Sequence, residues 1–318
     1  MPLRAVSSTS NRALWDAFVG AFLTENAGRT GPGGFTSWAW LTHRIQRDAL
    51  HRAAAARGVS AWLGPPVAFF SDLPRLFDIR ERPVGLWRRQ QALDEIARRR
   101  ATELGALAAA FDRPGVGRAH DHLIGELLPE GVSPESLAAA LATIGDDDFA
   151  TRRSAWIVAV YRDYLAWLAA EARYDARAVH ARVADRIGSG ALTAALQGAR
   201  RLHIYGLTTL RTRRRLLAAL RAQREVEVVL YAPAGPEAED WAGVAGSITE
   251  LPADDGHAPL VQPAPDERRE LDWVAVQVKK ALVQDGVPAD RIAVIARSGR
   301  EDARAAHEVL SGAGIPTT

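Results

Sequence analysis

The strand-forming segments in this chain of 318 residues fall into two groups. Between them lies a long segment, residues 84–187, whose periodicity predicts helices. The apolar runs lie at residues 3–8, 65–70, 201–206, 226–231 and 291–297. Helical patterns follow most of these runs, and strands that alternate with helices form parallel sheets. The chain is therefore predicted to be an α/β protein whose parallel sheet is interrupted by a large all-helical insertion.

Hydrophobic periodicity and turn residues set the boundaries of the other predicted elements. Helices outside the insertion are predicted over residues 11–23, 36–57, 210–223, 266–285 and 300–312. Helices inside it are predicted over residues 86–110, 120–128, 134–144 and 152–187. Residues 234–265 are predicted to be a loop with one short strand near 247–251. The predicted regions are a first α/β lobe over 1–83 and 190–260, the insertion over 84–189, and the beginning of a second α/β lobe over 261–318.

The basic residues are almost all arginine, since Lys279 and Lys280 are the only lysines among 40 lysines and arginines. A P-loop lysine or a Schiff-base lysine is therefore excluded before residue 279. The residues two positions before these lysines are Gln277 and Val278, so an (Asp/Glu)-x-Lys nuclease core is missing as well. Because the chain has no cysteine, disulfides, thiolate nucleophiles and cysteine-ligated metals are excluded.

The overall charge is mildly basic, with a formal net charge of +2 and a pI near 9.2. An arginine-rich, lysine-poor balance fits a DNA-binding surface, and it also fits codon composition alone. The N-terminus has no apolar signal region, and no run of ~18 apolar residues occurs. We expect a cytoplasmic protein with no membrane association.

Two short motifs have the residues of a binding site but not its full pattern. Gly31-Pro-Gly-Gly-Phe-Thr36 could present backbone N–H groups to an anion at the start of the helix predicted over 36–57, but it lacks the Gly-Lys-Ser/Thr ending of a phosphate loop. His120-Asp121-His122 with Glu126 could supply metal ligands, but His-x-His spacing diverges on a helix. A flexible loop and a surface helix start are the preferred interpretations, and no metal site is predicted.

Aromatic residues recur at helical spacing in the segment 152–187. They are Trp156, Tyr161, Tyr164 and Trp167. Such residues can stack on nucleic-acid bases, but this spacing is also what a buried helix face requires, and packing in the core is the preferred interpretation. The preceding run Asp146-Asp147-Asp148 is predicted to be a solvated loop that caps the next helix.

Three segments carry a resemblance to one family. Arg201-Leu-His-Ile-Tyr-Gly-Leu to Leu217, followed by Val226 to Tyr231, resembles the end of the first helicase-like lobe in the B subunit of AddAB-type helicase-nucleases. Pro265 to Arg297, ending in Gly314-Ile-Pro316, is similar to the opening of the second lobe in UvrD-like superfamily 1 helicases. The segment 152–187, with Tyr161-Arg-Asp-Tyr164 and Asp175, looks like the long helix that precedes the first-lobe strand.

The resemblance implies a RecA-like (P-loop-NTPase-like) lobe, the start of a second such lobe, and an inactivated helicase region. It also implies a cytoplasmic complex that processes DNA ends for double-strand break repair by recombination, with a nuclease in the same subunit. We therefore expect the chain to be an N-terminal piece of a longer protein whose exonuclease lies beyond Thr318. The implied partners are DNA, as single strands or duplex ends, and a helicase-nuclease partner subunit.

The chain departs from a working motor at the residues that would use ATP. No P-loop lysine is present, and Gly206-Leu207-Thr208 stands where active helicases carry Gly-Asp followed by Gln. Arg297 matches the arginine that contacts the γ-phosphate, and without a phosphate loop it is interpreted as a structural or DNA-facing remnant of a nucleotide site. No catalytic residue and no cofactor is predicted in this chain.

Two functions remain open at this point. The first is a non-catalytic DNA-binding and scaffolding region, for which the predicted DNA contacts are Arg211, Arg213, Arg214 and Arg215. The second is a protein interaction module whose helical block docks a motor or nuclease partner, without a direct role in DNA binding. An independent ATPase is disfavoured by the missing lysine.

Overall fold

The computed structural model of the chain describes most of its residues. The described residues are 3–29, 33–59, 62, 64–111, 113, 115–144, 147–210, 212–234, 238–252, 263–295 and 300–317. They separate into two compact units, Met1–Gly256 and His257–Thr318.

The described strands form one large sheet and one small one. The strands are β1 (Arg4–Ser8), β2 (Ser37–Leu41), β3 (Val67–Phe69), β4 (Arg82–Pro83), β5 (Arg173–Tyr174), β6 (Arg201–Tyr205), β7 (Glu227–Pro233) and β8 (Ser247–Glu250). Six of them make a sheet in the order β3-β2-β6-β7-β1-β8, in which every neighbouring pair is parallel. Strands β4 and β5 pair separately. The prediction of an α/β fold with a parallel sheet is confirmed.

Helices connect the strands and build the insertion. The α-helices are α1 (Asn11–Glu25), α2 (Arg44–Ala56), α3 (Leu73–Leu76), α4 (Leu86–Ala101), α5 (Ala108–Phe111), α6 (Val116–Glu130), α7 (Pro134–Leu141), α8 (Asp148–Ala170), α9 (Val179–Gly188), α10 (Leu192–Ala195), α11 (Arg214–Arg221), α12 (Ala238–Val244), α13 (Glu267–Val283) and α14 (Arg300–Gly312). Short 3-10 turns occupy Phe70–Asp72, Thr102–Leu107, Ala176–Ala178 and Ala289–Arg291. Among the described helices, none combines the length and the apolar character that a bilayer crossing requires.

The large sheet has a separate apolar layer on each face. Helices α1 and α2 cover one face, where Phe18 and Leu50 are fully buried. Helices α9 to α12 cover the other face, to which Leu217 and Trp241 contribute. The two layers follow from the right-handed connections between parallel strands. A helix that connects its strand to one in one direction along the sheet lies on one face, and a helix that connects in the opposite direction lies on the other face.

The helix predicted over residues 36–57 is wrong in its first part, where Ser37–Leu41 forms strand β2. Trp38 and Trp40 pack in the layer of α11, whereas Ala39 and Leu41 pack in the layer of α1. A strand buried on both faces has no polar alternation, so its sequence gives no period-2 signal. The glycine-rich segment before it therefore leads into a strand and not into a helix, and its Gly31 and Pro32 lie outside the described residues.

Two other predicted elements are also corrected. The single helix over residues 152–187 ends at Ala170, where Ala172 takes a left-handed conformation with φ of 49° and turns the chain into β5 before α9 begins. The strand predicted over 291–297 is not formed in its described part, since residues 291–295 are a 3-10 turn and irregular chain with Ile295 90% exposed. Without a neighbouring strand to hydrogen-bond, an apolar run alone does not make a strand.

The helical insertion has its own core, built by α4, α6, α7 and α8. Trp156, Tyr161 and Tyr164 are buried in it, and Trp167 is partly buried. The interpretation of these aromatics as core residues is confirmed for the first three. Asp147 accepts a hydrogen bond from the Ala150 N–H at the start of α8, which confirms the predicted cap.

A buried ion cluster ties this insertion together. The carboxylate of Asp175 accepts hydrogen bonds from the Tyr164 hydroxyl at 2.8 Å and from the Arg177 guanidinium at 2.6 Å. Arg177 also pairs with Asp121 at 2.9 Å, and Arg89 donates to Asp121 at 2.6 Å. Asp121 belongs to α6, so the motif His120-Asp121-His122 is not a surface helix start. Its aspartate joins α4 and α6 to the segment after β5, and His120 is buried.

The second unit is small. Helices α13 and α14 pack on each other around Ala275, Val309, Leu310 and Ile315. The described residues of this unit form a helix pair and contain no strand.

Candidate functional site

The carboxyl ends of the strands meet at one edge of the large sheet, because all six strands are parallel. Open α/β sheets bind ligands at this edge, in the crevice where neighbouring strands send their helices to opposite faces. Among the described strands, β2 and β3 form one such pair, and two further pairs lie closer to the middle of the sheet. One lies between β1 and β7, and the other lies between β2 and β6.

The turn after β1 is too short to cradle a phosphate. Strand β1 ends at Ser8 and α1 begins at Asn11, so Thr9 and Ser10 are the whole connection. The Ser10 hydroxyl accepts a hydrogen bond from the Ala13 N–H at 3.1 Å, and the Ser8 hydroxyl accepts one from the Ser10 N–H at 3.0 Å. A phosphate loop needs a glycine-rich stretch with free N–H groups between its strand and its helix. Here the N–H groups of Ser10 and Ala13 are used by serine side chains.

The crevice between β2 and β6 is closed by direct contact. The Thr42 hydroxyl donates to the Gly206 carbonyl at 3.3 Å, and Gln46 accepts hydrogen bonds from the N–H groups of Thr42 and His43 at 3.0 Å each. Gly206 has φ of +92°, and a Cβ atom there would lie 2.4 Å from the Thr42 hydroxyl oxygen. The two strand ends therefore touch, which leaves no room for a ligand between them.

One arginine at the same edge has no carboxylate partner within the described part of the chain. Arg213 precedes α11, and its guanidinium carbon lies 5.3 Å from the ring centroid of Phe70, the residue after β3. The side chain is half-buried, and its Nε–H is buried without a hydrogen-bond partner among the described residues. Burial lowers the pKa of Arg213. An arginine retains its charge under these conditions, so Arg213 presents a partly desolvated cation at the edge.

His180 of α9 completes this cluster. Its ring meets Phe70 edge to face at a centroid distance of 5.9 Å. Burial and the nearby charge of Arg213 lower the pKa of His180 to about 4, against the effect of a hydrogen bond to the Thr212 backbone. His180 is therefore neutral at physiological pH and adds no competing charge. We call Arg213, Phe70 and His180 the Arg213 cluster.

A second arginine is stacked on an aromatic ring at the carboxyl end of β3, on the opposite face of the sheet from Arg213. The Arg47 guanidinium of α2 lies 5.4 Å from the ring centroid of Phe69, the last residue of β3, and it pairs with Asp48 at 3.3 Å. Stacked guanidinium groups are held in place by the ring while their N–H donors remain available to phosphate oxygens.

The predicted DNA contacts do not share one environment. Arg215 pairs with Asp185 at 2.5 Å and donates to the Gly131 carbonyl at 3.4 Å, so it joins α11 to α9 and α6. Arg214 is exposed. Arg211 and the predicted nucleotide remnant Arg297 lie outside the described residues. Of the four arginines, Arg213 is the one that the described structure brings to the carboxyl edge without a carboxylate partner.

Sequence reasoning missed Phe70, His180 and Arg47. Phe70 lies in a run predicted as a strand, and His180 lies in a segment predicted as continuous helix. A signal was available in Phe69-Phe70, since two adjacent aromatics at a strand end must point to opposite sides of the sheet. Nothing in the sequence indicates which arginines reach them.

The amino edge of the sheet carries a different charge network, and that network is internally paired. Buried His203 bonds to Glu25 at 2.8 Å and to the Tyr231 hydroxyl at 3.1 Å. Arg201 pairs with both Glu25 and Glu227. A recess of about 750 Å³ opens beside these groups. Because each of these carboxylates has an arginine partner, the network stabilises the fold and has no surplus charge for a ligand.

This network predicts a loss of stability in acid. Burial alone would raise the pKa of Glu25, but hydrogen bonds and charges from His203 and Arg201 lower it below its ordinary value of 4.5. A carboxylate with a lowered folded-state pKa contributes stability above its unfolded pKa, and the contribution is lost as pH falls through the folded pKa. We expect the free energy of unfolding, measured with urea, to fall as pH drops below 4.5.

A Glu25→Gln variant is the control for this prediction. Its free energy of unfolding should be lower than that of the parent near neutral pH and should decline less steeply in acid. An equally steep decline in both proteins would contradict the role of Glu25.

The described residues contain no group of three or more His, Asp or Glu side chains that could hold a metal ion.

The chain is an α/β protein with a parallel sheet and an inserted helical block. No protein-family model matches the chain, and no curated protein matches it.

Proposed function

We propose that this chain is the non-catalytic DNA-binding and scaffolding region of a helicase-nuclease subunit that acts in double-strand break repair and recombination. Its sheet would be a RecA-like lobe, and its partners would be DNA and a second helicase-nuclease subunit in the cytoplasm. The observation that carries the proposal is the Arg213 cluster. A half-buried guanidinium that has no carboxylate partner among the described residues, at the edge where parallel sheets bind ligands, has the chemistry of a phosphate contact.

The short turn after β1 supports the non-catalytic part of the proposal. In a P-loop protein, a glycine-rich loop ending in Lys-Ser/Thr joins the first strand to its helix. Here Thr9 and Ser10 make that connection, and the side chains of Ser8 and Ser10 accept hydrogen bonds from backbone N–H groups at the start of α1. We expect no ATP hydrolysis by the purified chain, and measurable turnover would overturn this part.

The DNA-binding part predicts a specific loss on replacing Arg213. Arg213→Gln should weaken binding of a fluorescein-labelled oligothymidine about tenfold, because one charge-assisted contact is removed. The slope of log affinity against log salt should fall in magnitude by about 0.7, the value for one phosphate contact on a single strand. Fluorescence anisotropy at several salt concentrations measures both quantities.

Arg29→Gln is the matched control, since Arg29 is exposed near the end of α1, at the amino edge of the sheet, and the substitution makes the same change in net charge. It should leave both quantities nearly unchanged. Thermal unfolding of each variant establishes that the fold is intact. If Arg213→Gln binds DNA as the parent does at low salt, the carboxyl edge is not the DNA contact. Loss of a partner subunit with intact DNA binding would instead favour the protein interaction module.

A further inference from the structure

The outer face of helix α4 carries a row of polar residues with one tryptophan. The helix is anchored in the insertion core by Leu93 and Ile96, which are buried. Successive residues of an α-helix are rotated by about 100°, so the residues that line a recess of about 460 Å³ along α4 lie on the opposite side of the helix. Its described lining residues all belong to α4, and they are Trp87, Gln90, Gln91, Asp94, Glu95 and Arg98.

Trp87 gives this face its apolar surface, since it is 83% exposed. Tryptophan is enriched among the residues that dominate the free energy of protein–protein association. An isolated exposed aromatic residue needs no explanation, so the argument depends on the other residues of the same face.

Two carboxylates lie on this face. Asp94 is half-buried and accepts a hydrogen bond from the Gly117 N–H at 2.9 Å, which fixes its side chain at the start of α6. Glu95 is exposed. These carboxylates would repel the phosphates of a nucleic acid, so the face suits a protein.

The spacing of the row fits a second helix. Four of the residues follow one another at intervals of four, three and four positions, and two helices that pack side by side contact each other at this spacing. They are Trp87, Gln91, Asp94 and Arg98. The outward face of any helix offers such positions, so the residue types decide which helix fits.

We propose that α4 pairs with α4 of a second copy of this chain, in antiparallel orientation about a two-fold axis. The axis would pass at the height midway between positions 92 and 93, and each contact would occur twice. Trp87 would then face Arg98 of the second copy, and Gln91 would face Asp94 of the second copy. An arginine on a tryptophan ring is a favourable cation–π contact, and the glutamine amide can donate to the carboxylate.

A pair of opposite charges would flank this row. Glu95 and Arg88 are both exposed and lie on the same side of it. In the proposed arrangement Glu95 is within about 3 Å in height of Arg88 of the second copy, because the two positions differ by two residues in their distance from the axis. Ion pairs at these flanking positions select the partner and its orientation.

Other arrangements of two α4 helices bring like charges together. Parallel pairing in register would place Asp94 against Asp94 and Arg98 against Arg98. Antiparallel pairing shifted by one heptad would place either Glu95 against Glu95 or Arg88 against Arg88. The charges therefore favour the antiparallel arrangement centred between positions 92 and 93.

The dimer should be weak. Two helices of 16 residues bury less surface than the ~1,600 Å² that is typical of stable complexes. We expect a dissociation constant of about 100 µM. The inference does not depend on the proposed function, since it involves neither DNA nor the Arg213 cluster.

Sedimentation velocity at protein concentrations on both sides of that dissociation constant tests the pairing. The average mass of the parent should rise from that of a monomer towards that of a dimer. Trp87→Ala should raise the dissociation constant about tenfold or more, because both copies of the cation–π contact are lost. A parent that stays monomeric throughout, or a Trp87→Ala variant that dimerises as the parent does, would overturn the proposal.

Phe149→Ala is the matched control, because Phe149 is an aromatic residue 41% exposed on α8. It should dimerise as the parent does. Since Trp87 is mostly in water, Trp87→Ala should unfold at the temperature of the parent in dilute solution.

A charge exchange tests the orientation. Glu95→Arg alone and Arg88→Glu alone should both be monomeric, because like charges then meet across the axis. An equimolar mixture should form dimers, since each arginine again faces a glutamate, and a fluorescein label on one variant identifies the mixed species. Glu130→Arg, which reverses the same charge on α6, should not restore dimers when mixed with Arg88→Glu. A mixture of the first two variants that stays monomeric would contradict the antiparallel pairing.

The two proposals fail independently. Trp87→Ala should bind oligothymidine as the parent does, and Arg213→Gln should dimerise as the parent does. Loss of dimers without loss of DNA binding therefore tests this inference alone, and the reverse result tests the proposed function alone.

Discussion

Asp175→Asn is expected to destabilise the first unit by about 3 kcal/mol, because it removes one of the two carboxylates, Asp175 and Asp121, that neutralise the largely buried cations Arg89 and Arg177. The Asp175 side chain is fully buried and accepts hydrogen bonds from Tyr164 and Arg177. Burial alone would raise the pKa of Asp175, but these partners lower it below its ordinary value of 3.8, so the charged form is the one the fold requires. Asparagine has nearly the same shape, but its NH₂ group would face the hydrogen-bond donors of Tyr164 or Arg177, which need an acceptor.

Urea unfolding measures this loss, and the midpoint temperature should fall by about 2 °C or more for each kcal/mol. Asp163→Asn on α8 is the matched control. Its partners Arg99 and Arg100 keep 64% and 34% of their side chains exposed, so we expect a loss of about 1 kcal/mol or less. Equal losses in the two variants would show that burial of the Asp175 cluster contributes nothing.

Gly206→Ala is expected to cost about 2–4 kcal/mol, from backbone strain and from the loss of a helix cap. The φ of +92° is unfavourable for alanine, and the new Cβ atom would lie within 2.5 Å of the Thr42 hydroxyl and the Gln46 amide. Those two side chains cannot simply move away, because Gln46 holds the N–H groups of Thr42 and His43 at the start of α2.

Gly198→Ala separates the two causes. Gly198 has φ of +83°, and nothing lies within 4 Å of the position of its Cβ atom, so this variant should show the strain alone. The difference in free energy of unfolding between the two variants, measured with urea, is then the cost of opening the contact between β2 and β6. No difference would mean that the crevice can open freely at Gly206.

The strands that the sequence predicts correctly are short apolar runs bounded by turn residues, as at β1, β6 and β7. Strand β2 could not be recognised, because burial on both faces removes the alternation by which a strand is identified. Its two tryptophans pack in a different layer from Ala39 and Leu41, and only the assembled sheet determines those layers.

The candidate site could be predicted only in part for a related reason. The arginine-rich sequence before α11 includes Arg213. The residues that distinguish the environment of Arg213 from that of Arg215 are Phe70, after β3, and His180, on α9. These residues are brought together by segments on either side of the whole insertion. The local sequence does not indicate which arginines form an ion pair with a carboxylate, because the partner can lie on another helix, as Asp185 of α9 does for Arg215.

The order of the strands also sets the order in which the protein can fold during synthesis. In the described part of the chain, strand β1 pairs with β7 and β8, and Arg4 contacts Glu227 across 223 positions of sequence. The helices of the insertion pack mainly on one another, so they can form while β1 is still without a neighbour. Damage to the insertion, for example at Asp175, should therefore prolong the time that the apolar strands of the sheet stay exposed on the nascent chain. The first visible consequence would be aggregation during expression rather than a defect in the finished protein.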